Sequence, residues 1–419
     1  MLIRSPKGTR DILPTEVYKW HFIEKEIAKI CSDYGYEEIR LPVFEHTELF
    51  QRGVGETTDV VQKEMYTFLD KAGRSITLRP EGTAGVVRSY IENGMASLPQ
   101  PVRLYYNITA YRYENVQKGR YREFRQFGVE AFGSSSPSVD VEIISMLRLL
   151  LDRLGITQIS LNINSIGCPI CRKEYNRLLI DHLRPHLNGM CDTCKTRFEK
   201  NPLRIIDCKE ENCRKITADA PALIDHICEE CKLHFEELKG GLDNLEIDYC
   251  VDKRIVRGLD YYTKTVFEFV SDDIGTQGTV CGGGRYDGLV EACGGKPTHG
   301  IGFAVGMERL LMVMENQGIR ISPPEGIDIF IAAVGDRAHR YAEKKVYELR
   351  REYLSAQKDL MGRSLKAQMK HANRLKARYS IVLGDKEIES GKAVLRSMES
   401  GEEKEISLGT LTDRLKMKQ

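Results

Sequence analysis

The most informative part of the sequence is residues 111–133, where two alternating segments flank a short polar loop at residues 117–119. Alternation of apolar and polar residues is typical of strands with one buried face, so this stretch predicts a β-hairpin of two half-buried strands. Gln126, Gly128 and Glu130 are spaced two residues apart, and we therefore expect them on one face of the second strand.

This hairpin is rich in arginine. Arg112, Arg120, Arg122 and Arg125 stand among acidic residues and close to Phe124. A solvated surface uses lysine as freely as arginine, whereas a site for phosphate and carboxylate groups favours the planar arginine fork, which binds two oxygens at once. When the stretch is considered alone, a charged surface hairpin is the alternative interpretation.

Three further stretches support a functional interpretation. Residues 79–85 break a strand with Pro and Gly and leave Glu81 and Thr83 as polar groups at a turn. Residues 257–262 place an arginine and two tyrosines beside a glycine, and residues 300–311 run from a glycine-rich strand into a helix that carries an arginine.

Taken together, the four stretches resemble histidyl-tRNA synthetases, a family of class II aminoacyl-tRNA synthetases, over nearly the whole chain. In that family the hairpin is motif 2, residues 300–311 are motif 3, and residues 257–262 are a histidine-specific signature. We expect an α+β catalytic domain, built on the class II synthetase antiparallel sheet flanked by helices, with a small inserted helical zinc domain and a C-terminal α/β anticodon-binding domain. The expected boundaries are 1–166 and 245–321 for the two parts of the catalytic domain, 167–244 for the cysteine-rich insertion and 326–419 for the anticodon-binding domain.

The resemblance implies ATP-dependent attachment of L-histidine to histidine tRNA through a histidyl-adenylate intermediate, by a homodimer that uses Mg²⁺ with ATP. It assigns catalysis to Arg112, which would bridge the histidine carboxylate and the α-phosphate, and to Arg257, which would supply positive charge. By the same resemblance, the histidine site comprises Glu81, Gly82, Thr83, Arg112, Gln126, Glu130, Arg257, Tyr261 and Tyr262, and the ATP site comprises Arg112, Glu114, Phe124 and Arg309.

Two regions are expected to contact tRNA. Gln117, in the motif 2 loop, is expected at the acceptor end, although residues 115–116 read Asn-Val where members of the family often have Arg-Pro. Residues 363–378 contain basic residues and no acidic one, which favours RNA contact over the alternative of a solvated helix face. The residues expected to contact the anticodon are Arg363, Lys366, Lys370 and Arg374.

Eight of the twelve cysteines lie between residues 168 and 231 as four close pairs. The pairs are Cys168 with Cys171, Cys191 with Cys194, Cys208 with Cys213, and Cys228 with Cys231. This spacing predicts two structural zinc ions in tetrahedral sites of four cysteines, although it leaves open which pairs share an ion. Free structural thiols and disulfides are the alternatives. Four thiolates leave no position for water, so metal removal is expected to leave histidine activation intact.

Composition limits the other possibilities. With 62 basic and 61 acidic residues the net charge is +1, so any surface for nucleic acid must be local. The sequence contains no apolar run of membrane-spanning length and no signal peptide at its start, and we expect a cytoplasmic protein without membrane partners. Two rival functions are a catalytically inactive paralogue, the regulatory subunit of ATP phosphoribosyltransferase, and an RNA-binding accessory module. The presence of Arg112, Gln117, Arg257 and Arg309 favours the enzyme.

Overall fold

The computed structural model describes residues 2–55, 58–274 and 278–417. The chain divides into two compact units, Met1–Ile321 and Ser322–Gln419. Within the described residues, none of the helices has the length and apolar character needed to cross a membrane.

The first unit combines a large sheet, a small sheet and surrounding helices. Its strands are β1 Glu37–Glu38, β2 Phe44–His46, β3 Tyr66–Leu69, β4 Ser75–Leu78, β5 Val102–Tyr111, β6 Glu123–Phe132, β7 Ser160–Ser165, β8 Cys250–Val251, β9 Thr263–Val270, β10 Thr279–Arg285 and β11 Gly300–Gly306. Its helices are α1 Val17–Asp33, α2 Thr47–Val54, α3 Thr83–Glu92, α4 Pro137–Arg153, α5 Pro169–Leu183, α6 Asp192–Lys200, α7 Glu211–Ile216, α8 Glu229–Asn244, α9 Leu289–Ala292 and α10 Met307–Asn316.

The large sheet has the strand order β1-β5-β6-β11-β10-β9-β7-β8. Its pairs are antiparallel except at the two ends, where β1 pairs with β5 and β8 with β7 in parallel. Strands β5 and β6 pair from Val102 opposite Phe132 to Tyr111 opposite Glu123, which confirms the hairpin predicted from the sequence.

The two faces of this sheet have different roles. On one face Phe127, Val129 and Ala131 of β6 pack into a core with α1, α4 and α10. Full burial of side chains such as those of Phe127 and Val129 contributes about 1.5–3 kcal/mol each. The other face carries Gln126 and Glu130, and both are buried as well. The expectation of a half-buried strand is therefore wrong for the C-terminal part of β6, because the side opposite the helices is covered by other parts of the chain.

A buried polar network ties the sheet to the helices around it. The Asp140 carboxylate on α4 accepts hydrogen bonds from Arg285 Nε at 3.0 Å and Nη2 at 2.6 Å. Nε2 of His234, on α8, lies 3.3 Å from Asp140 Oδ1 and 3.2 Å from Thr265 Oγ1 on β9. Burial opposes ionisation of Asp140, but the hydrogen bond with His234 and the charge of Arg285 lower its pKa below the usual value.

Each of the helices α5 to α8 contains the second cysteine of one pair, and the first cysteine of that pair lies just before the helix. Their apolar residues form a core that also takes in residues from the catalytic sheet and from the segment before β9, including Ile166, Ile255, Tyr262 and Val266. The cysteine-rich segment therefore packs on the sheet and shares a core with it.

The second unit is a smaller α/β structure. Its strands are β12 Ile329–Ala333, β13 Ala356–Lys358, β14 Tyr379–Leu383, β15 Lys392–Ser397 and β16 Glu403–Ser407, and its helices are α11 Asp336–Arg351, α12 Leu365–Arg374, α13 Asp385–Ser390 and α14 Leu411–Lys416. The sheet order is β13-β12-β14-β15-β16. Strands β13, β12 and β14 are parallel because α11 and α12 supply the crossover connections between them.

Candidate active site

A cleft of about 710 Å³ opens on the face of the large sheet that carries Gln126. It brings together most of the residues singled out in the sequence for histidine and ATP. Those that line it are Glu81, Thr83, Arg112, Glu114, Phe124, Gln126, Arg257, Tyr261, Tyr262 and Arg309.

Glu130 lies beneath this lining and is 1% exposed. Its Oε1 accepts a hydrogen bond from Thr83 Oγ1 at 2.7 Å and a longer one from Tyr106 at 3.4 Å, and its Oε2 accepts one from the Tyr286 hydroxyl. Burial raises the pKa of Glu130 to about 8, although the hydrogen bonds from Tyr286 and Thr83 act in the opposite direction.

Tyr106 and Tyr286 both donate to the Glu130 carboxylate, and the sequence analysis gave neither of them a specific role. Tyr286 also lines the cleft, whereas Tyr106 is fully buried. Tyr106 lies on β5 directly opposite Gly128, and a Cβ atom at Gly128 or at Gly82 would overlap the Tyr106 ring. Gly82 is not among the residues that line the cleft, and the lack of a side chain at this position makes room for the Tyr106 ring. Two features of the sequence could have indicated these tyrosines. Tyr106 faces a glycine across the predicted hairpin, and Tyr286 lies two residues after the glycine run 282–284.

Glu81 lines the cleft and also accepts hydrogen bonds from the start of α3. It is 4% exposed, and its carboxylate accepts hydrogen bonds from the backbone N–H groups of Thr83 at 2.7 Å and Ala84 at 2.9 Å, at the start of α3. Burial raises the pKa of Glu81, and these two backbone bonds act against the rise. Each oxygen keeps a further lone pair for a ligand donor.

Arg257 is fixed by an acidic partner. Its Nη1 pairs with Oε1 of Glu268, whose Oε2 accepts a hydrogen bond from Thr279 Oγ1 at 2.9 Å. Burial lowers the pKa of Arg257, but the Glu268 carboxylate outweighs burial and leaves the pKa above its usual value. The Nε atom is buried and has no hydrogen-bond partner among the described residues. A charged group with an unsatisfied donor is thus held in the cleft.

The other arginines form a cationic edge around Glu114. Arg112 Nε donates to the Pro80 carbonyl at 2.8 Å, and its guanidinium carbon lies 5.4 Å from the centre of the Phe124 ring. The Glu114 carboxylate lies 3.7 Å from Arg112 and 3.2 Å from Arg120.

Arg309 approaches the same edge from α10. Its Nη1 donates to the Thr279 carbonyl. Burial lowers the pKa of Arg309, and the positive charges of Arg120 and Arg112 lower it further. Guanidinium groups gathered in this way favour an anionic ligand. Gln126 Oε1, also buried in the cleft, has no partner in the described part of the chain.

Two tyrosines complete the wall. The rings of Tyr261 and Tyr262 are 4.6 Å apart, and Tyr261 also contacts Tyr286 edge-on at 5.6 Å. The guanidinium of Arg257 lies 6.0 Å from the Tyr262 ring. An aromatic surface therefore connects Arg257 to the pocket that ends at Glu130.

The residues expected to contact tRNA lie outside the cleft. Gln117 is exposed at the tip of the β5–β6 hairpin. In the second unit, Lys366, Lys370 and Arg374 are exposed on α12 at four-residue spacing and hence on one face. Arg363 differs from these three because it forms an ion pair with Asp359 at 2.8 Å.

The eight paired cysteines form two clusters, which answers the question that their spacing left open. The first cluster is Cys168, Cys171, Cys228 and Cys231, and the second is Cys191, Cys194, Cys208 and Cys213. Within each cluster the four sulfur atoms lie within 4.8 Å of one another. Zinc–sulfur bonds of about 2.3 Å place tetrahedral ligands roughly 3.8 Å apart, so both clusters have the size of a zinc site. Backbone N–H groups also donate to sulfur in both, from Cys228 to Cys171 and from Cys191 to Cys213.

The antiparallel sheet, its arginine-bearing central hairpin and the strand–helix unit that carries Arg309 define a class II aminoacyl-tRNA synthetase. A sequence model described as histidyl-tRNA synthetase matches residues 8–169 and 209–310, and one described as an anticodon-binding domain matches residues 328–418. The chain belongs to the histidyl-tRNA synthetase family. It is an ATP-dependent ligase that joins histidine to tRNA.

Similar proteins support this assignment over the full length. The chain is 78% identical over 417 residues to the histidine–tRNA ligase of Acetivibrio thermocellus, with 100% of both chains covered. It is 55% identical to that of Caldanaerobacter subterraneus, with 99% of this chain and 100% of the relative covered. The crystal structure of apo S. aureus histidyl-tRNA synthetase superposes with a TM-score of 0.86 at 43% identity, covering 99% of this chain and 100% of the other.

One structural neighbour bears on the rival function. A Bacillus halodurans protein titled ATP phosphoribosyltransferase regulatory subunit/histidyl-tRNA synthetase superposes with a TM-score of 0.60 at 22% identity, covering 88% of this chain and 97% of that one. Identity this low shows a shared fold alone. The regulatory-subunit function is therefore less well supported than the ligase.

The raised pKa of Glu130 predicts a pH-dependent stability difference. The folded chain disfavours the ionised carboxylate, so the contribution of Glu130 to the free energy of unfolding is greatest below its ordinary pKa of about 4.5 and is lost as the pH rises toward about 8. A neutral Glu130→Gln side chain has no such loss. The melting temperature of this variant, relative to the unsubstituted protein, should therefore rise between about pH 5.5 and about pH 8.5.

Thermal unfolding followed by calorimetry measures this difference. Glu399→Gln, at an exposed turn residue, is the matched control. A difference that stays constant or falls with pH for Glu130→Gln would show that the Glu130 carboxyl ionises freely in the folded protein.

Proposed function

We propose that the cleft joins histidine to ATP as a histidyl-adenylate and then transfers the histidyl group to histidine tRNA, with Arg257 and Arg112 as the catalytic residues. The observation that carries this proposal is the buried guanidinium of Arg257, which Glu268 fixes and whose Nε has no partner among the described residues. It lies in the same cleft as Arg112.

Activation requires a carboxylate to attack an α-phosphate, and these two anions repel each other. Arg112 and Arg257 offset the repulsion, because their charge binds both reactants and stabilises the negative charge that develops on the phosphorus oxygens. Arg112 is oriented by the Pro80 carbonyl and Arg257 by Glu268, so neither guanidinium has to reorganise during the reaction.

In the proposed histidine site, the ends of the substrate meet different groups. Glu81, Thr83 and Gln126 accept hydrogen bonds from the α-ammonium group of histidine. Gly82 leaves space for the ring of Tyr106. Glu130 and Tyr262 bind the imidazole nitrogens, with Tyr261 beside them. A site built on hydrogen bonds to the substrate rejects analogues that lack those groups by roughly 10⁴–10⁵.

ATP is proposed to stack its adenine on Phe124 and to place its phosphates among Arg112, Arg309 and Glu114. Mg²⁺ prefers carboxylate and phosphate oxygens, and Glu114 offers a carboxylate at this edge, although Arg112 and Arg120 already engage it. When bound, Mg²⁺ neutralises phosphate charge, while the arginines orient the nucleotide.

The proposed partners include histidine tRNA and a second copy of the chain. Gln117 contacts the acceptor end, and Arg363, Lys366, Lys370 and Arg374 contact the anticodon. The small sheet of β2, β4 and β3 exposes Phe44, Phe68 and Leu69 by 58%, 48% and 69%, which suits a homodimer interface. We place the enzyme in the cytoplasm, with domains at 1–166, 167–244, 245–321 and 326–419.

Each cysteine cluster is proposed to hold one structural zinc ion. Four sulfur ligands at tetrahedral spacing, with N–H donors to sulfur, suit zinc and leave no coordination position for a substrate. Zinc supplies cross-links between distant parts of a segment whose own core is small.

The role of Arg257 predicts the phenotype of its removal. Loss of one fixed donor to a developing anion costs roughly 2.7–4 kcal/mol, so Arg257→Ala should slow histidine-dependent exchange of pyrophosphate into ATP by about 10²–10³. Arg177→Ala, at an exposed position of α5, is the control and should exchange normally. Near-normal exchange in Arg257→Ala would rule out the catalytic role.

Charge reversal on α12 tests whether this helix binds tRNA without taking part in the activation of histidine. Lys366→Glu, Lys370→Glu and Arg374→Glu together should spare pyrophosphate exchange, which needs no tRNA, and should impair tRNA charging. Each lost phosphate contact should flatten the salt dependence of tRNA binding by roughly 0.7–0.9 in log–log slope. Reversal of the exposed Lys344, Arg351 and Lys404 is the control, and equal loss of charging in both triples would place the RNA surface elsewhere.

The two clusters predict the metal content. Elemental analysis of protein purified without chelator should find one zinc ion for each of the two clusters. Cys213→Ser and Cys231→Ser, one in each cluster, should each lower the zinc content by about half. Metal-free protein with a fully ordered insertion would contradict the zinc sites.

A further inference from the structure

The segment that connects the two halves of the second cysteine cluster, residues 195–207, contacts the border of the active-site cleft. Asn201 Nδ2 donates to Asp260 Oδ1 at 2.8 Å. Arg197 Nη2 donates to Asp59 Oδ2 at 2.8 Å, next to Val60, which lines the cleft. Both donors come from the cysteine-rich insertion, and both acceptors belong to the catalytic part of the chain.

Asp260 belongs to a functionally important segment, residues 255–262, which we call the histidine loop. This loop carries Arg257, Tyr261 and Tyr262 into the cleft, and it adopts neither helix nor strand. Its backbone hydrogen bonds include those from Ile255 N to Asp252 O and from Asp260 N to Val54 O, each 3.2 Å long. With so little regular pairing, side-chain contacts have a large part in fixing its position.

The side-chain contacts that hold the histidine loop include a hydrogen bond from Asn164 Nδ2 to the Ile255 carbonyl at 3.2 Å and two contacts made by the loop's own charged residues. Arg257 pairs with Glu268 inside the cleft, and Asp260 accepts the hydrogen bond of Asn201 at the outer side. The charges around Asp260 support the second contact. Burial and the charge of Arg197 lower the pKa of Arg204, and the Asp260 carboxylate raises it, so a cation of the insertion lies near this acid.

Apolar packing links the same two parts of the chain. Leu203 and Ile205 of the insertion are buried in one cluster with Ile255 and Tyr262 of the histidine loop, and Cys194 and Cys208 belong to this cluster too. The cysteines that form the second metal site are therefore part of the core on which the histidine loop packs.

We propose that Asn201 is a positioning residue for the histidine site, and that the ion bound by Cys191, Cys194, Cys208 and Cys213 fixes Asn201 against Asp260. Histidine affinity then depends on occupancy of this metal site. The inference rests on the histidine and zinc sites proposed above. It reverses the expectation from the sequence alone, that metal removal leaves histidine activation intact.

The first test is the Asn201→Ala variant, assayed by pyrophosphate exchange. Loss of a hydrogen bond to a charged group should raise the KM for histidine by about tenfold or more, and the KM for ATP should change by less than about twofold. A general loss of folding would affect both substrates. Asn244→Ala, an exposed asparagine at the end of α8, is the matched control. An unchanged KM for histidine in Asn201→Ala overturns the positioning role.

A swap of the two side chains tests the contact itself. Asn201→Asp places a second carboxylate against Asp260, because the two side chains are 2.8 Å apart, and should raise the KM for histidine more than Asn201→Ala does. Adding Asp260→Asn restores one donor, one acceptor and the original net charge, and should recover most of the affinity. A double variant no better than Asn201→Asp overturns the proposal, even where Asn201→Ala folds poorly.

Metal removal supplies a readout that does not depend on activity. Chelation should increase amide hydrogen exchange both in residues 191–213 and in the histidine loop, while β5 and β6 keep their protection. Removal of both ions with unchanged exchange in the histidine loop overturns the link between metal and loop. Protein isolated without metal would contradict the zinc sites themselves, whereas two bound ions and an unaffected Asn201→Ala variant would contradict the positioning role alone.

Discussion

Strand β6 is paired on both sides, with β5 and with β11, and the rest of the first unit depends on this arrangement. Paired edges fix the strand register, and the register decides which side chains point to the helices and which to the cleft. A shift by one residue would bring Phe127 and Val129 to the ligand face and move Glu130 into the apolar core. The register of β6 therefore determines both the apolar core under α1 and α4 and the polar side chains of the cleft.

The cleft is built from charges that burial would disfavour if they stood alone. Arg257 has Glu268, and Glu81 has the first backbone N–H groups of α3. Burial raises the pKa of Glu130, and its hydroxyl donors offset that rise only in part. These partners engage only some of the donors and acceptors of each charged group, and Arg257 Nε has no partner among the described residues. Preorganised polar groups of this kind stabilise a transition state without further reorganisation.

The sequence predicted the parts of this site that local patterns encode. Alternation predicted the hairpin and placed Gln126 and Glu130 on one face, and close cysteine pairs predicted two clusters of four. It did not indicate Tyr106 or Glu268 as site residues, nor Tyr286 as the hydrogen-bond partner of Glu130. Their roles arise when β5, β9 and β10 meet across the sheet, at sequence separations that no local pattern encodes. For the same reason, spacing alone did not show that the first cysteine pair joins the fourth.

The polar network of Asp140, Arg285 and His234 has a consequence for the order in which the chain assembles. Asp140 and Arg285 are 145 positions apart, and the intervening chain contains all eight clustered cysteines and α8, which brings His234 to the same network. Contacts of such long range form late, because closing the intervening loop costs entropy before any contact is gained. The catalytic sheet cannot complete its polar core until α8 has docked, so folding is expected to be slow. Metal ions should accelerate folding, because they link distant cysteines within the insertion.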